Sequence, residues 1–461
     1  MFDTIIYSNR RQCLKELPLE GIVLFVGNSF TAKDSSTVSS GFLQDSNFLY
    51  FWGISSPNLA ALIDLDSGEE IFFGDDKTQN ECIWDAARPR VAEHAARTGT
   101  GLVKSLTELQ ELIDDQQKKG RKIHHLPTSS LSQEIWLRQL LNLYDMRVPV
   151  SFSTDLARAV IALREIKSAQ EIAEIESAVN LTGTMLLDAA AAIRPGKSER
   201  EVVAASECAV RGTASLAFPA ILTSKGCYLH CGSHDFTMQE DDLIVQDCGA
   251  RSSNYYCADI TRTFPVSGKF NGQQKEIYEA VRGAQKVALD HMQPGISFTE
   301  THRRACLYLC NCLKDLRVMK GDAETAVELG AHALFFPCGL GHPLGLDVHD
   351  MSSISEDMAG YGDDFSRSTQ FGLDRLRFGK ILREGMVLTV EPGLYFNPEL
   401  TQYWRGQKLH TEFINYDMAA QFFRVSGIRI EDDVVVEGKG CRVLGAPIAK
   451  AIDEVERLFA S

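Results

Sequence analysis

Asp247 and Asp259 lie in the stretch "QDCGARSSNYYCAD", on either side of a polar tip at Arg251–Asn254. If the flanking segments pair as a hairpin centred on Ser253, the two aspartates stand directly opposite each other. Opposed Cβ atoms are roughly 4.5–5.5 Å apart. Like charges at that distance repel unless something neutralises them, and one or two divalent cations would do so. A shifted register would instead leave both as solvated surface acids, the common fate of aspartate.

Two glutamates occupy equally unusual places. Glu391 ends the apolar run "MVLTV" and is followed by Pro392 and Gly393, which stop the strand. Glu431 interrupts "GIRIEDDVVV", where strand alternation sets Ile428 and Ile430 on one face and Arg429 and Glu431 on the other. An acid inside a buried strand needs a partner, and Arg429 in a structural ion pair is one reading. His342 follows "GLG", where the backbone can approach closely, and His349 follows the apolar "LGLDV". Singly these histidines read as core residues. Grouped with oxygen ligands, an imidazole suits Mn²⁺, Co²⁺ or Zn²⁺.

The elements that must position them alternate along the chain. "GIVLFVG" and "ALIDLDSGEEIFF" read as strands, "QDSNFLYFWGI" as aromatic core, and "SLTELQELIDDQQKKGRK" as a helix. From Arg164, "REIKSAQEIAEIESAVNLTGTMLLDAAAAI" reads as one long amphipathic helix stopped by Pro195 and Gly196, so a domain boundary is expected near residue 160. Beyond it, "DLIVQDCGA", "YYCADITRTFPVSG", "GMVLTVEPGLYF" and "GIRIEDDVVVEG" read as strands. "QQKEIYEAVRGAQKVALDHM" and "ETHRRACLYLCNCLKDL" read as helices, with Cys306 and Cys310 on one core-facing side. The Ser/Asp/Gly-rich segment Met351–Lys380 reads as a lid or a disordered excursion.

Composition narrows the class. A chain of 461 residues suggests two domains with ample core. Forty-seven Lys and Arg against 62 Asp and Glu give a formal charge of −15, which argues against nucleic-acid binding. Twelve irregularly spaced cysteines without a secretion signal point to a reduced, cytoplasmic protein. No window is apolar for the roughly 18 residues a membrane span needs, so no membrane partner is expected. The cluster Cys227, His230, Cys231 and His234 is too tightly spaced for a standard structural zinc finger.

Taken in order, "LHC" around His230, "QDCGA", "ADITRTFPVSGKF", "GLGHPLGLDVHD", "GMVLTVEPGLYF" and "GIRIEDDVVV" resemble the pita-bread-fold metallopeptidases, the group of prolidase, aminopeptidase P and methionine aminopeptidase. The resemblance spans nearly all of residues 165–461. "QDSNFLYFWGI" and "ALIDLDSGE" resemble the creatinase-like N-terminal domain of prolidases and aminopeptidases P. The fold class so implied is α/β in the mixed, α+β sense. Residues 1–160 would form the N-terminal domain. Residues 161–461 would form a catalytic domain with a curved, largely antiparallel sheet covered by helices.

The resemblance implies that Asp247, Asp259, His342, Glu391 and Glu431 ligate two divalent ions, usually Mn²⁺. It implies that Glu391 takes the proton of the nucleophilic water, and that His230 and His349 contact the substrate and its developing oxyanion. The substrate implied is a small peptide with proline in second position, and the enzyme implied is a homodimer. Eukaryotic-type prolidases carry an arginine that grips the dipeptide carboxylate. Counting back from Gly385, its counterpart is Lys380, which keeps the charge but not the bidentate fork. Arg429 is a further substrate-side residue. Where the family has histidine four residues before the metal-binding one, this chain has Cys338. A thiol is a weak donor and does not replace an imidazole, so altered substrate contacts are expected. The long segment before "GMVLTVEPG" and the insertion Asn397–Phe423 favour Xaa-Pro dipeptidase over aminopeptidase P, with a non-catalytic binding protein on the same fold as the third possibility.

Overall fold

The computed structural model describes residues 1–29, 32–35, 38–39, 42–84, 89–211 and 214–460. Two compact units emerge: Met1–Arg164 with Ser353–Ser355, and Glu165–Ser352 with Glu356–Ser461.

The first unit is built on a five-stranded sheet. Its order is Leu102–Lys104, Glu70–Phe73, Ala60–Asp64, Ile22–Val26, Ile123–His124, with antiparallel pairs at the centre and a parallel pair at each edge. Ile22, Leu24, Leu62, Ile71 and Phe73 pack with Leu109 and Ile113 in one core. The latter two come from helix Leu106–Lys118, which begins at a Ser105/Glu108 capping box. The aromatic stretch is the helix Ser46–Trp52, capped by Asp45, with Phe48, Phe51 and Trp52 buried.

The second unit carries antiparallel ladders. One joins Ile221–Thr223, Leu243–Cys248 and Ile260–Pro265. A second joins Val387–Val390, Asp432–Glu437 and Gly440–Val443. A third pairs Gly393–Tyr395 with Gly427–Arg429. Helices Gly272–His291 and Phe298–Asp315 cover them, placing Ala288, Phe298 and Ala305 against Leu388, Val390, Val434 and Val436. The mixed α/β class with an antiparallel, helix-covered second half is therefore what the chain adopts. No described helix is long and apolar enough to cross a membrane.

Two elements differ from the sequence reading. The long helix does not run from Arg164. One helix spans Thr154–Glu165, and another, Ala169–Ala192, starts afresh at a Ser168/Glu171 capping box. Periodicity continues across the gap, but the cap satisfies the new helix's free N–H groups and so marks a true start. The segment Met351–Lys380 is ordered structure: helix Ser352–Gly360, a 3₁₀ turn at Leu373–Arg375, and Leu376 and Phe378 embedded in the core.

Candidate metal centre

The hairpin bearing Asp247 and Asp259 is offset from the expected register. Asp247 pairs with Thr261 and Cys248 with Ile260, so the turn centres on Asn254 rather than Ser253. The cause lies at the tip. Ser252 and Tyr256 close a loop whose last residue, Tyr255, takes a left-handed φ of 72°. A three-residue loop ending this way is a known hairpin closure, and it moves the register by two. A shift of two preserves the face. The aspartates are diagonal neighbours on one side of the ladder, where the Cα spacing is about 7–8 Å, wider than for opposed residues. Gly249 makes the approach to the second strand possible, since a Cβ there would sit 1.9 Å from the Ala258 carbonyl oxygen.

Glu391 and Glu431 occupy matching breaks. Val390 pairs with Asp432 and Gly393 with Arg429 in a single register, and the Ile430 amide donates to the Pro392 carbonyl at 3.3 Å. That register sets Glu391 opposite Glu431. Glu431 is buried, accepts the Thr261 hydroxyl at 2.6 Å, and its amide donates to the Thr261 carbonyl.

His342 arrives on a segment running antiparallel to Val387–Glu391. The Glu391 amide donates to Leu340, the Thr389 amide to His342, and the Leu344 amide to Val387. Gly341 is required here, because a Cβ would meet the Thr389 carbonyl oxygen at 2.0 Å. His342 Nδ1 lies 3.1 Å from the Pro343 carbonyl. Donation to that oxygen fixes the tautomer and leaves the Nε2 lone pair free. Nε2 lies 3.4 Å from Asp259 Oδ2 and 3.8 Å from Glu391 Oε1.

Ligand atoms of Asp259, His342 and Glu431 thus lie within 4.8 Å of one another, all three residues buried. Asp247 Oδ1 and Asp259 Oδ1 are buried without a hydrogen-bond partner. Burial, and then Glu431 and Asp247, push the Asp259 carboxyl well above its usual range. Burial, then Glu391 and Asp247, do the same to Glu431. Burial raises Glu391 to about 7. Such a cluster resists full ionisation unless cations join it, and its donors are oxygens plus one imidazole. These residues fit divalent metal ions.

The other expected residues are placed as follows. Arg429 does not pair with Glu431. Its guanidinium donates to Asp247 Oδ2 at 2.6 Å, to Thr261 Oγ1 at 3.0 Å and to the Tyr395 hydroxyl at 3.1 Å. Arg429 and Glu431 still share a face, as strand alternation predicts, because both bond the Thr261 hydroxyl. His349 stands edge-on to His342, with ring centroids 4.4 Å apart and planes at 87°, and keeps an exposed side. Burial, then His342 and Arg377, hold it well below the ordinary imidazole range. His230 is exposed, and its field reaches His349. Cys338 is half-buried beside Tyr395 and Glu391, and burial keeps its thiol protonated. Lys380 places its ammonium 3.0 Å from Glu165, which Arg383 also contacts.

Four residues went unread in the sequence. Arg377, paired with Glu356, is the cation whose field acts on His342, His349 and Glu391. Asp433 accepts the Asp259 amide at 3.0 Å, and Tyr395 and Thr261 tie Arg429 to the centre. The "EDD" triplet was the available signal, but only the fold separates its members. Asp432 goes to Arg262 and Lys450, and Asp433 to the Asp259 backbone.

Residues 173–438 match the profile of metallopeptidase family M24. The chain belongs to this family. Residues 6–124 match the N-terminal domain of aminopeptidase P. The chain is 30% identical to the Xaa-Pro aminopeptidase of Haemophilus influenzae over 91% of its own length and 88% of that protein. It is 28% identical to the human Xaa-Pro dipeptidase, covering 95% and 88% respectively. Its fold is similar to that of Pseudomonas aeruginosa aminopeptidase PepP, with a TM-score of 0.82 at 26% identity, covering 100% of this chain and 98% of that one. An M24 metallopeptidase therefore carries the acidic cluster described above.

Proposed function

We propose that this metallopeptidase hydrolyses Xaa-Pro bonds and that Asp247, Asp259, His342, Glu391 and Glu431 hold its two divalent ions, Mn²⁺ foremost. The observation that carries the reading is the convergence of Asp259, His342 and Glu431 ligand atoms within 4.8 Å, with Glu391 opposite Glu431. When bound, the ions would acidify a water and polarise the scissile carbonyl.

The remaining chemistry belongs to this chain's own side chains. Glu391, beside the ions, also takes the proton of the attacking water. His349 and His230 face the carbonyl oxygen as negative charge develops on it. Arg429 keeps Asp247 in place through a buried, charge-assisted hydrogen bond. Arg377 is the cation placed to attract a substrate carboxylate, since its field reaches His342, His349 and Glu391, although it is paired with Glu356 as Lys380 is with Glu165.

Among Xaa-Pro peptidases we favour the dipeptidase, on the length of the Met351–Lys380 and Asn397–Phe423 segments and on Arg377. The likeness to aminopeptidases P supports the second reading, cleavage of longer peptides. We place the enzyme in the cytoplasm as a homodimer, on its cysteine content and its resemblance to the family. Steady-state hydrolysis of Gly-Pro against an Xaa-Pro-Yaa tripeptide separates the two activities. A kcat/KM at least tenfold higher on Gly-Pro supports the dipeptidase, and the reverse ratio supports the aminopeptidase. Hydrolysis of neither with Mn²⁺, Co²⁺ or Zn²⁺ present overturns both.

A further inference from the structure

Outside the acidic centre lies a second, softer cluster. His302 and Cys306 are one turn apart on helix Phe298–Asp315, and His332 sits in the 3₁₀ turn Ala331–Leu334. One ligand atom from each lies within 4.8 Å of the others, and all three residues are buried. Cys306 Sγ is 3.3 Å from His302 Nε2. In a tetrahedral site with the usual metal–sulfur and metal–nitrogen bonds, that edge is about 3.6 Å, so the pair is close to ligating separation.

A satisfied core histidine has its ring nitrogens paired. Here Nδ1 of His332 is buried without a partner while the His332 ring donates to the Ala326 carbonyl; Nδ1 of His302 is also buried and unpaired, its Nε2 being the nitrogen that faces Cys306. A backbone carbonyl on one ring nitrogen is the usual way a metal-binding imidazole is oriented through the other. Phe336 flanks His302, with ring centroids 5.5 Å apart, and the Cys310 and Cys338 thiols lie near enough to act on Cys306.

We propose that His302, Cys306 and His332 form a separate binding site for a thiophilic d¹⁰ ion, Zn²⁺ or Cu⁺. Sulfur with two imidazoles selects such ions over the hard cations suited to the carboxylate cluster. Binding releases the Cys306 thiol proton, so the site is neutral with Cu⁺ and carries one positive charge with Zn²⁺. The absence of a carboxylate from the trio favours the monovalent ion, because an uncompensated buried charge is costly. The ion would brace helix Phe298–Asp315 against the turn that leads into Phe335–His342. The site does not depend on the peptidase reading.

The test uses the full chain, stripped of metal and loaded with Zn²⁺, or with Cu⁺ under anaerobic reducing conditions. Stoichiometry is measured on wild type, Cys306→Ser, His332→Gln and Cys338→Ser. For at least one ion, Cys306→Ser and His332→Gln are each expected to hold one fewer per chain than wild type, and Cys338→Ser the same number as wild type. X-ray absorption is expected to show a sulfur neighbour about 2.3 Å from the ion, lost in Cys306→Ser. Mn²⁺-dependent hydrolysis, followed in parallel, is expected to survive in both site variants. Should Cys306→Ser fail to fold, His332→Gln carries the stoichiometric comparison. Equal stoichiometry in wild type and the site variants for both ions, or a sulfur shell that persists without Cys306, overturns the proposal.

Discussion

Glu391 stands opposite Glu431 at the single gap in a ladder that pairs Val390 with Asp432 on one side and Gly393 with Arg429 on the other. Placing the buried Glu431 opposite the half-buried Glu391 costs stability unless something compensates. In the ion-free protein, Glu431→Gln relieves that repulsion and leaves an acceptor for the Thr261 hydroxyl. Burial, Glu391 and Asp247 raise the folded pKa of Glu431, so its destabilising effect grows as pH rises above the ordinary carboxylate range. At pH 8 without metal, Glu431→Gln is expected to be more stable than wild type by roughly 1–3 kcal/mol in denaturant unfolding. Adding Mn²⁺ should raise the melting temperature of wild type and leave the variant little changed.

Arg429 is buried and holds Asp247 Oδ2 at 2.6 Å. Arg429→Ala strands the Asp247 carboxylate and is expected to cost about 3–5 kcal/mol of stability. Arg429→Lys keeps the charge but loses the fork that spans Asp247, Thr261 and Tyr395. It is expected to fold, with kcat/KM lowered roughly 10- to 100-fold. Wild-type kinetics in Arg429→Lys would show that the fork does not position the centre.

Cys338 occupies a place between Tyr395 and Glu391 where its protonated thiol is a poor donor. Cys338→His is expected to raise kcat/KM on Xaa-Pro dipeptides. An unchanged or lower value would mean that the surrounding pocket is shaped for a different substrate, and a panel of dipeptides measured on both proteins decides the point.

In the first unit, Arg121 donates to Asp64 from Nη1 and Nη2, each at 2.8 Å. The Arg121 hydrogen bond outweighs burial and lowers the Asp64 carboxyl to about 2. A depressed carboxyl stabilises the fold above its unfolded pKa near 3.9 and loses that contribution as pH falls towards its folded value. Asp64→Asn is expected to lose on the order of 1–2 kcal/mol at pH 7, the smaller end reflecting partial exposure. The gap to wild type should close between about pH 4 and pH 2. A constant gap across that range would assign the effect to packing.

The centre was legible where chemistry was unusual for its local pattern. Glu391 and Glu431 stand out because acids interrupt apolar strands, and Gly341 because a histidine follows a glycine that the neighbouring backbone requires. The hairpin register departs by two residues from the sequence expectation because nothing in "RSSNYY" announces that Tyr255, a non-glycine, adopts the left-handed conformation. The face survived the error only because a shift of two preserves strand parity. Counting back from Gly385 reaches Lys380 and passes over Arg377, and only the fold shows that Lys380 pairs with Glu165 while the field of Arg377 reaches His342, His349 and Glu391. Cys306 was rightly read as core, but the unpaired nitrogens beside it exist only in three dimensions.

The central claim is that this acidic cluster traps a pair of divalent ions, and Mn²⁺ titration calorimetry on the metal-stripped full chain tests it most directly. Wild type is expected to bind two Mn²⁺ per chain and to regain Xaa-Pro hydrolysis as they bind, with Asp259→Asn losing at least one ion and the activity. Wild-type stoichiometry in Asp259→Asn, or full hydrolysis by the stripped protein, would contradict it.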